Sequence, residues 1–223
     1  MNTVAERLAV LRWEIAGELQ RLGRDPAGVT LVGVSKLQAP ERVAEAIAAG
    51  LGDVGESYVR EAVSKFAQLP PVRKHFIGHL QTNKARTVAE TFDLVQSVDR
   101  FDAGLALSRA LAYGRTLPVL LQLNVTATER FGCLPEEAQE LAAQLRELPG
   151  LRVDGVMAMG PLAQDRDEIL RAFELAAKTW ERVGGSTLSI GMSGDWREAL
   201  RAGSTMVRIG EAIFGPRDDG RHP

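Results

Sequence analysis

The 223-residue sequence holds one cysteine, Cys133, which excludes an intrachain disulfide and a site built from four thiolates. That scarcity fits a reducing compartment. Blocks of basic charge are also missing. Lys and Arg number 27 against 29 Asp and Glu, the formal net charge is −2, and the basic residues are scattered. This is not the footprint of a protein that binds nucleic acid or an anionic membrane. No apolar run reaches the length of a membrane span, and the opening MNTVAERLAVLRWEIAGELQRL is charged throughout, unlike the apolar core of a secretion signal. No linker rich in Pro, Gly or Ser divides the chain. The expectation is one cytoplasmic domain over residues 1–223, monomeric, with a frayed polar tail at 217–223, and a small molecule as its partner.

With 45% hydrophobic residues, the chain can bury one sizeable core. Val4, Leu8, Leu11, Ile15, Leu19 and Leu22 recur every three or four positions and predict an amphipathic opening helix. Thr30 to Ser35, TLVGVS, is apolar and β-prone, and Pro40 then opens a helical stretch that ends at Gly50. The alternation continues through GDVG, HFIG, DLVQSV, PVLLQLNV, RVDGVMAM, TLSIGM and TMVRIG, with helical segments such as RDEILRAFELAAKTWERV between. Eight non-alternating strands spaced by helices predict a (β/α)8 TIM barrel of the α/β class with an extra N-terminal helix; a doubly wound open sheet is the alternative.

Barrel active sites lie at the C-terminal ends of the strands, so polar residues just after apolar runs are the candidates. Lys36 closes LVGVS, where partial desolvation would favour the neutral amine that imine formation needs; the competing reading is a stem packed on the strand with its ammonium in water. The segment SIGMSGDWREALRAGSTMVRIGEAIFG has the composition of a phosphate site on the loops after strands seven and eight. Ser193 with Gly194 fits that role, while Asp195 and Glu198 fit a capping box on a helix starting near Trp196. Arg208, inside TMVRIG, needs either a barrel carboxylate or a ligand to answer its buried charge. His75 and His79, four residues apart along a strand, would sit roughly 13 Å from each other and so do not form a metal pair.

Taken together, GVSK, GESYVRE, HFIGHLQTNK, GVMAMGPL, SIGMSGDW and AGSTMVRIGEAIFG resemble the pyridoxal phosphate homeostasis protein family, from about Val29 to Arg217. The resemblance implies a barrel like the N-terminal domain of alanine racemases, with pyridoxal 5'-phosphate held as an imine. It also implies a part in cofactor supply, passing the cofactor to apoenzymes, without established turnover. By resemblance, Lys36 is the imine lysine, Ser193, Ser204, Thr205 and Gly210 surround the phosphate, and Met192 lies against the cofactor. Arg208 would face the pyridine nitrogen and leave it unprotonated. The family's GEN reads Gly55, Glu56, Ser57 here, so Ser57 replaces an amide near the cofactor, and Arg130 stands where the family often has a lysine. Two other readings compete. An amino acid racemase would need a second acid or base on the opposite face of the cofactor. A sugar-phosphate enzyme would use Lys36 on a different carbonyl.

Overall fold

The computed structural model describes residues 3–126, 131–163 and 165–216. Eight short strands, Thr30–Val34 (β1), Asp53–Glu56 (β2), Arg73–Phe76 (β3), Leu94–Val98 (β4), Leu117–Leu123 (β5), Leu151–Ala158 (β6), Thr187–Ser189 (β7) and Met206–Ile209 (β8), pair in chain order and close into a parallel barrel. At the closing seam, Val32 of β1 is paired with Arg208 of β8 on one side and with Asp53 of β2 on the other. The open sheet is thereby ruled out.

The helices are Val4–Arg21 (α1), Pro40–Ala48 (α2), Val59–Phe66 (α3), Ala85–Thr91 (α4), Phe101–Ala110 (α5), Ala138–Arg146 (α6), Arg166–Val183 (α7), Trp196–Arg201 (α8) and Glu211–Phe214 (α9). Helix α1 precedes the first strand and packs on α2, α8 and α9. It begins with a capping box: the Glu6 amide donates to the Thr3 hydroxyl at 3.2 Å, and the Thr3 amide donates to the Glu6 carboxylate at 2.8 Å. Val4, Leu8, Leu11, Ile15 and Leu19 are buried as their spacing predicts, whereas Leu22 stands beyond the last turn as the C-cap and is exposed.

Two apolar cores result. Val32, Leu94, Leu120, Met157 and Met206 fill the barrel interior, so the barrel is packed and is no pore. The second core lies between strands and helices, where Phe92 meets Phe66 and Phe76 edge to face. Among the described residues, no helix is long and apolar enough to cross a membrane.

Candidate functional site at the barrel mouth

Lys36 follows the C-terminal end of β1, Ser57 that of β2, Met192 and Ser193 that of β7, and Gly210 that of β8. Because β7, β8, β1 and β2 are consecutive neighbours in the barrel, these five residues share one arc of its mouth. Lys36 is half-buried and Ser193 is exposed. Gly210 opens α9, its carbonyl accepting from the amides of Ile213 and Phe214, and it lies so close to β1 that an added Cβ would sit 3.2 Å from the Val34 carbonyl oxygen.

Ser204 and Thr205 are not part of this arc, which corrects the expected phosphate set. Both precede β8, at the opposite end of the barrel. The Ser204 hydroxyl is fully buried, 2.9 Å from the Ile190 carbonyl and 3.0 Å from that of Met206. Thr205 accepts from the Leu188 amide at 2.8 Å through its hydroxyl and from Thr30 through its carbonyl. These two residues tie the starts of β1 and β8 to the length of β7. Five residues of extended chain separate Thr205 from Gly210, roughly 17 Å, too far for one phosphate to touch both.

The loop after β7 is shaped by Asp195. Its carboxylate accepts from the Met192 amide at 2.5 Å, and the amides of Asp195 and Trp196 donate back to the Met192 carbonyl. Asp195 occupies the N-cap position of α8, but its side chain makes no capping bond, and Glu198 pairs with Arg166 at 3.3 Å. The expected capping box is therefore absent, and Asp195 instead folds the loop that carries Met192 and Ser193. Burial pushes its carboxyl above the ordinary range, opposed by the Met192 N–H and by the charge of Arg208.

Arg208 is buried, and the question of what answers its charge has a structural solution. Its guanidinium reaches the C-terminal ends of β6 and β7, donating to the Ala158 carbonyl at 2.9 Å and to the Ser189 carbonyl and hydroxyl at 2.7 and 2.6 Å. From there a chain of bonds descends through the barrel. The Ser189 hydroxyl donates to the Gln96 amide oxygen at 2.7 Å, the Gln96 amide nitrogen to His75 Nδ1 at 2.9 Å, and His75 Nε2 to Asp53 at 2.8 Å. Every donor in the chain points away from Arg208 toward Asp53. A cation at the mouth and a carboxylate at the base are thus joined through three neutral groups, each polarising the next. Burial lowers the Arg208 pKa to about 10, partly offset by the charge of Asp195, and it remains protonated at neutral pH.

Asp53, Gln96 and Ser189 were not flagged by the sequence, and His75 was considered only for metal. His79 is not beside His75; its ring stacks on Phe131 at 3.8 Å between centroids. Among the described residues, no group of three metal-ligating side chains exists. Ser57 borders a cavity of about 610 Å³ outside the strand ends, together with Tyr58, His79 and Lys84. Burial pushes the Cys133 thiol up to about 12, so it stays protonated. Arg130 lies outside the described residues.

A family model described as the N-terminal domain of alanine racemase matches residues 14–218. The pyridoxal phosphate homeostasis protein of Pseudomonas aeruginosa is 43% identical, the alignment covering 99% of this chain and 98% of that one. The chain belongs to the pyridoxal phosphate homeostasis protein family. Among solved structures, this family member resembles PipY of Synechococcus elongatus, determined with pyridoxal phosphate bound, with a TM-score of 0.77 at 33% identity over 90% of this chain and all of that one. Alanine racemase of Corynebacterium glutamicum shares the fold alone: 15% identity, TM-score 0.76, covering 98% of this chain and 62% of the racemase.

Proposed function

We propose that this protein binds pyridoxal 5'-phosphate at the mouth of the barrel and serves intracellular homeostasis of that cofactor in the cytoplasm, holding it reversibly and releasing it to apoenzymes without turnover of its own. The observation that carries the reading is that Lys36 follows the end of β1 while Arg208 lies on β8, the strand beside it. The one is an amine at the strand end; the other is a buried cation whose bonds to described residues go to carbonyl and hydroxyl oxygens and to no carboxylate. The donor set fits the cofactor, with an amine for its aldehyde, a fixed cation for its ring and a glycine-bordered loop for its phosphate.

When bound, pyridoxal phosphate supplies an aldehyde that combines with amines and a ring that withdraws electrons. Lys36 would bond to the aldehyde carbon through Nζ. Arg208 keeps its own protons at neutral pH, so toward the ring nitrogen it acts as a donor and gives no proton up, which discourages carbanion chemistry. Ser193 and Gly210 would hold the phosphate and Met192 would cover the cofactor, while Ser57 offers a shorter hydroxyl where relatives carry an amide. Ser204 and Thr205 have no part in this arrangement. Support for a carrier without turnover comes from near full-length similarity to a protein named for homeostasis, whereas the likeness to the racemase is one of fold.

The test is an absorption spectrum of the purified protein with pyridoxal phosphate, beside Lys36→Ala, followed by borohydride reduction and peptide mapping. A visible band with the label on Lys36 is expected. No band and no label would overturn the reading, and Lys36-dependent deuterium exchange at Cα of alanine would replace the carrier with a racemase.

A further inference from the structure

Lys36 sits between two residues whose backbone is held by a charge cluster that is buried at Lys65 and Glu56 and partly exposed at Glu61. Leu37 adopts φ +60°, the only non-glycine residue with a positive φ among those described, a conformation that L side chains rarely take. On one side of Lys36, the fully buried Ser35 donates its amide to the Gly55 carbonyl at 3.0 Å and its hydroxyl to Glu56 at 2.6 Å. On the other, the Leu37 amide donates to Glu61 at 2.7 Å. Lys65 joins the two sides. Its ammonium is buried and donates to the Ser35 carbonyl, to Glu56 and to Glu61, so three protons meet three acceptors.

We propose that Lys65, Glu56 and Glu61 position Lys36, by clamping the peptide groups before and after it into the left-handed turn that presents its amine to the mouth. This rests on the reading of Lys36 as the cofactor lysine. Burying the charges of Lys65 and Glu56 beside the partly exposed Glu61 is a poor route to stability, since an apolar cluster of similar volume commonly does as well, and the second oxygen of Glu56 is buried without a hydrogen-bond partner among the described residues. The arrangement is accounted for by what it grips. Two of its three carboxylate and ammonium groups bond directly to main-chain atoms flanking Lys36, and they hold a leucine where glycine would need no holding.

The decisive series uses apo-protein and cofactor uptake in parallel. Glu61→Ala is expected to speed hydrogen exchange of the Leu37 amide at least about tenfold, to change the rate at which formaldehyde and cyanoborohydride methylate Lys36, and to weaken pyridoxal phosphate uptake by about tenfold, the population a left-handed leucine would lose. Glu61→Gln, which keeps an acceptor for that amide, restores all three. In a Leu37→Gly background, Glu61→Ala costs markedly less uptake, because glycine enters the turn without strain. Lys65→Met serves as a further check where it folds. If Glu61→Ala lowers only the melting temperature and leaves Leu37 exchange and Lys36 methylation as in the wild type, the cluster is merely structural and the proposal is overturned. Should the wild type take up no pyridoxal phosphate, the functional reading fails, while exchange and methylation still decide the positioning.

Discussion

Gln96 donates its amide nitrogen to Nδ1 of His75 at 2.9 Å, and that bond leaves the ring proton on Nε2, where it meets Asp53. The imidazole is therefore neutral in the folded protein, and its tautomer is set by a residue on the neighbouring strand. Burial is the main cause that lowers the His75 pKa below its ordinary 6.5, with the Asp53 contact opposing it.

The sign of the pH effect follows. Below about pH 6.5 the unfolded chain takes up a proton on His75 more readily than the folded one, so stability is full above that pH and is lost as pH falls toward the depressed folded value. Urea unfolding at pH 7.5, 6.5 and 5.5 checks this. The wild type should lose more stability across the series than His75→Gln, which has nothing to titrate there. Parallel curves would mean that the histidine is not held neutral.

Arg208→Lys keeps the charge but cannot fork between Ala158 and Ser189. With charge-assisted bonds lost in a buried place, the substitution should cost about 2–4 kcal/mol by urea unfolding and shift the absorption maximum of bound pyridoxal phosphate. A variant as stable as the wild type would show that the guanidinium geometry is dispensable.

The same chain of bonds shows what the sequence made legible and what it did not. The helix Arg166–Val183 was readable from its helical periodicity, and the structure caps it with Asp165 at one end and Gly184 at the other. Lys36 was readable because a strand's end is marked by its last apolar residue. The burial of His75 and Gln96 was not, since it depends on which strands become neighbours on closure. Lys65 was not flagged by the sequence; α3 packs on β2 and brings its ammonium to Glu56 and to the Ser35 carbonyl, which buries it. Ser204 and Thr205 were expected at the phosphate by resemblance alone, and their place just before β8 sets them at the start of that strand, whereas Gly210 follows its end.

Thr205→Val separates those two ends. It removes the acceptor for the Leu188 amide at the base of the barrel and should destabilise the protein by about 1 kcal/mol, while pyridoxal phosphate affinity stays within about twofold of the wild type. Ser193→Ala should do the reverse, with little change in melting temperature and weaker binding. Equal losses of affinity in both variants would return Thr205 to the phosphate.

Two glycines of the mouth give the sharpest contrast. A methyl group on Gly194 meets nothing within 4 Å, and the residue is not in the left-handed region, so Gly194→Ala should leave the unfolding free energy within about 0.5 kcal/mol of the wild type. At Gly210 the added carbon would press on the Val34 carbonyl, main chain that can yield only by moving β1, so Gly210→Ala should cost about 1 kcal/mol or more as well as affinity. Weaker pyridoxal phosphate binding in Gly194→Ala would not come from a clash within the protein, because the added carbon meets no described residue within 4 Å. It would report a ligand lying against that backbone. Titration of both variants beside their unfolding curves checks the argument: full affinity in Gly194→Ala would remove the loop after β7 from the phosphate site and leave Gly210 and the end of β8 to hold it.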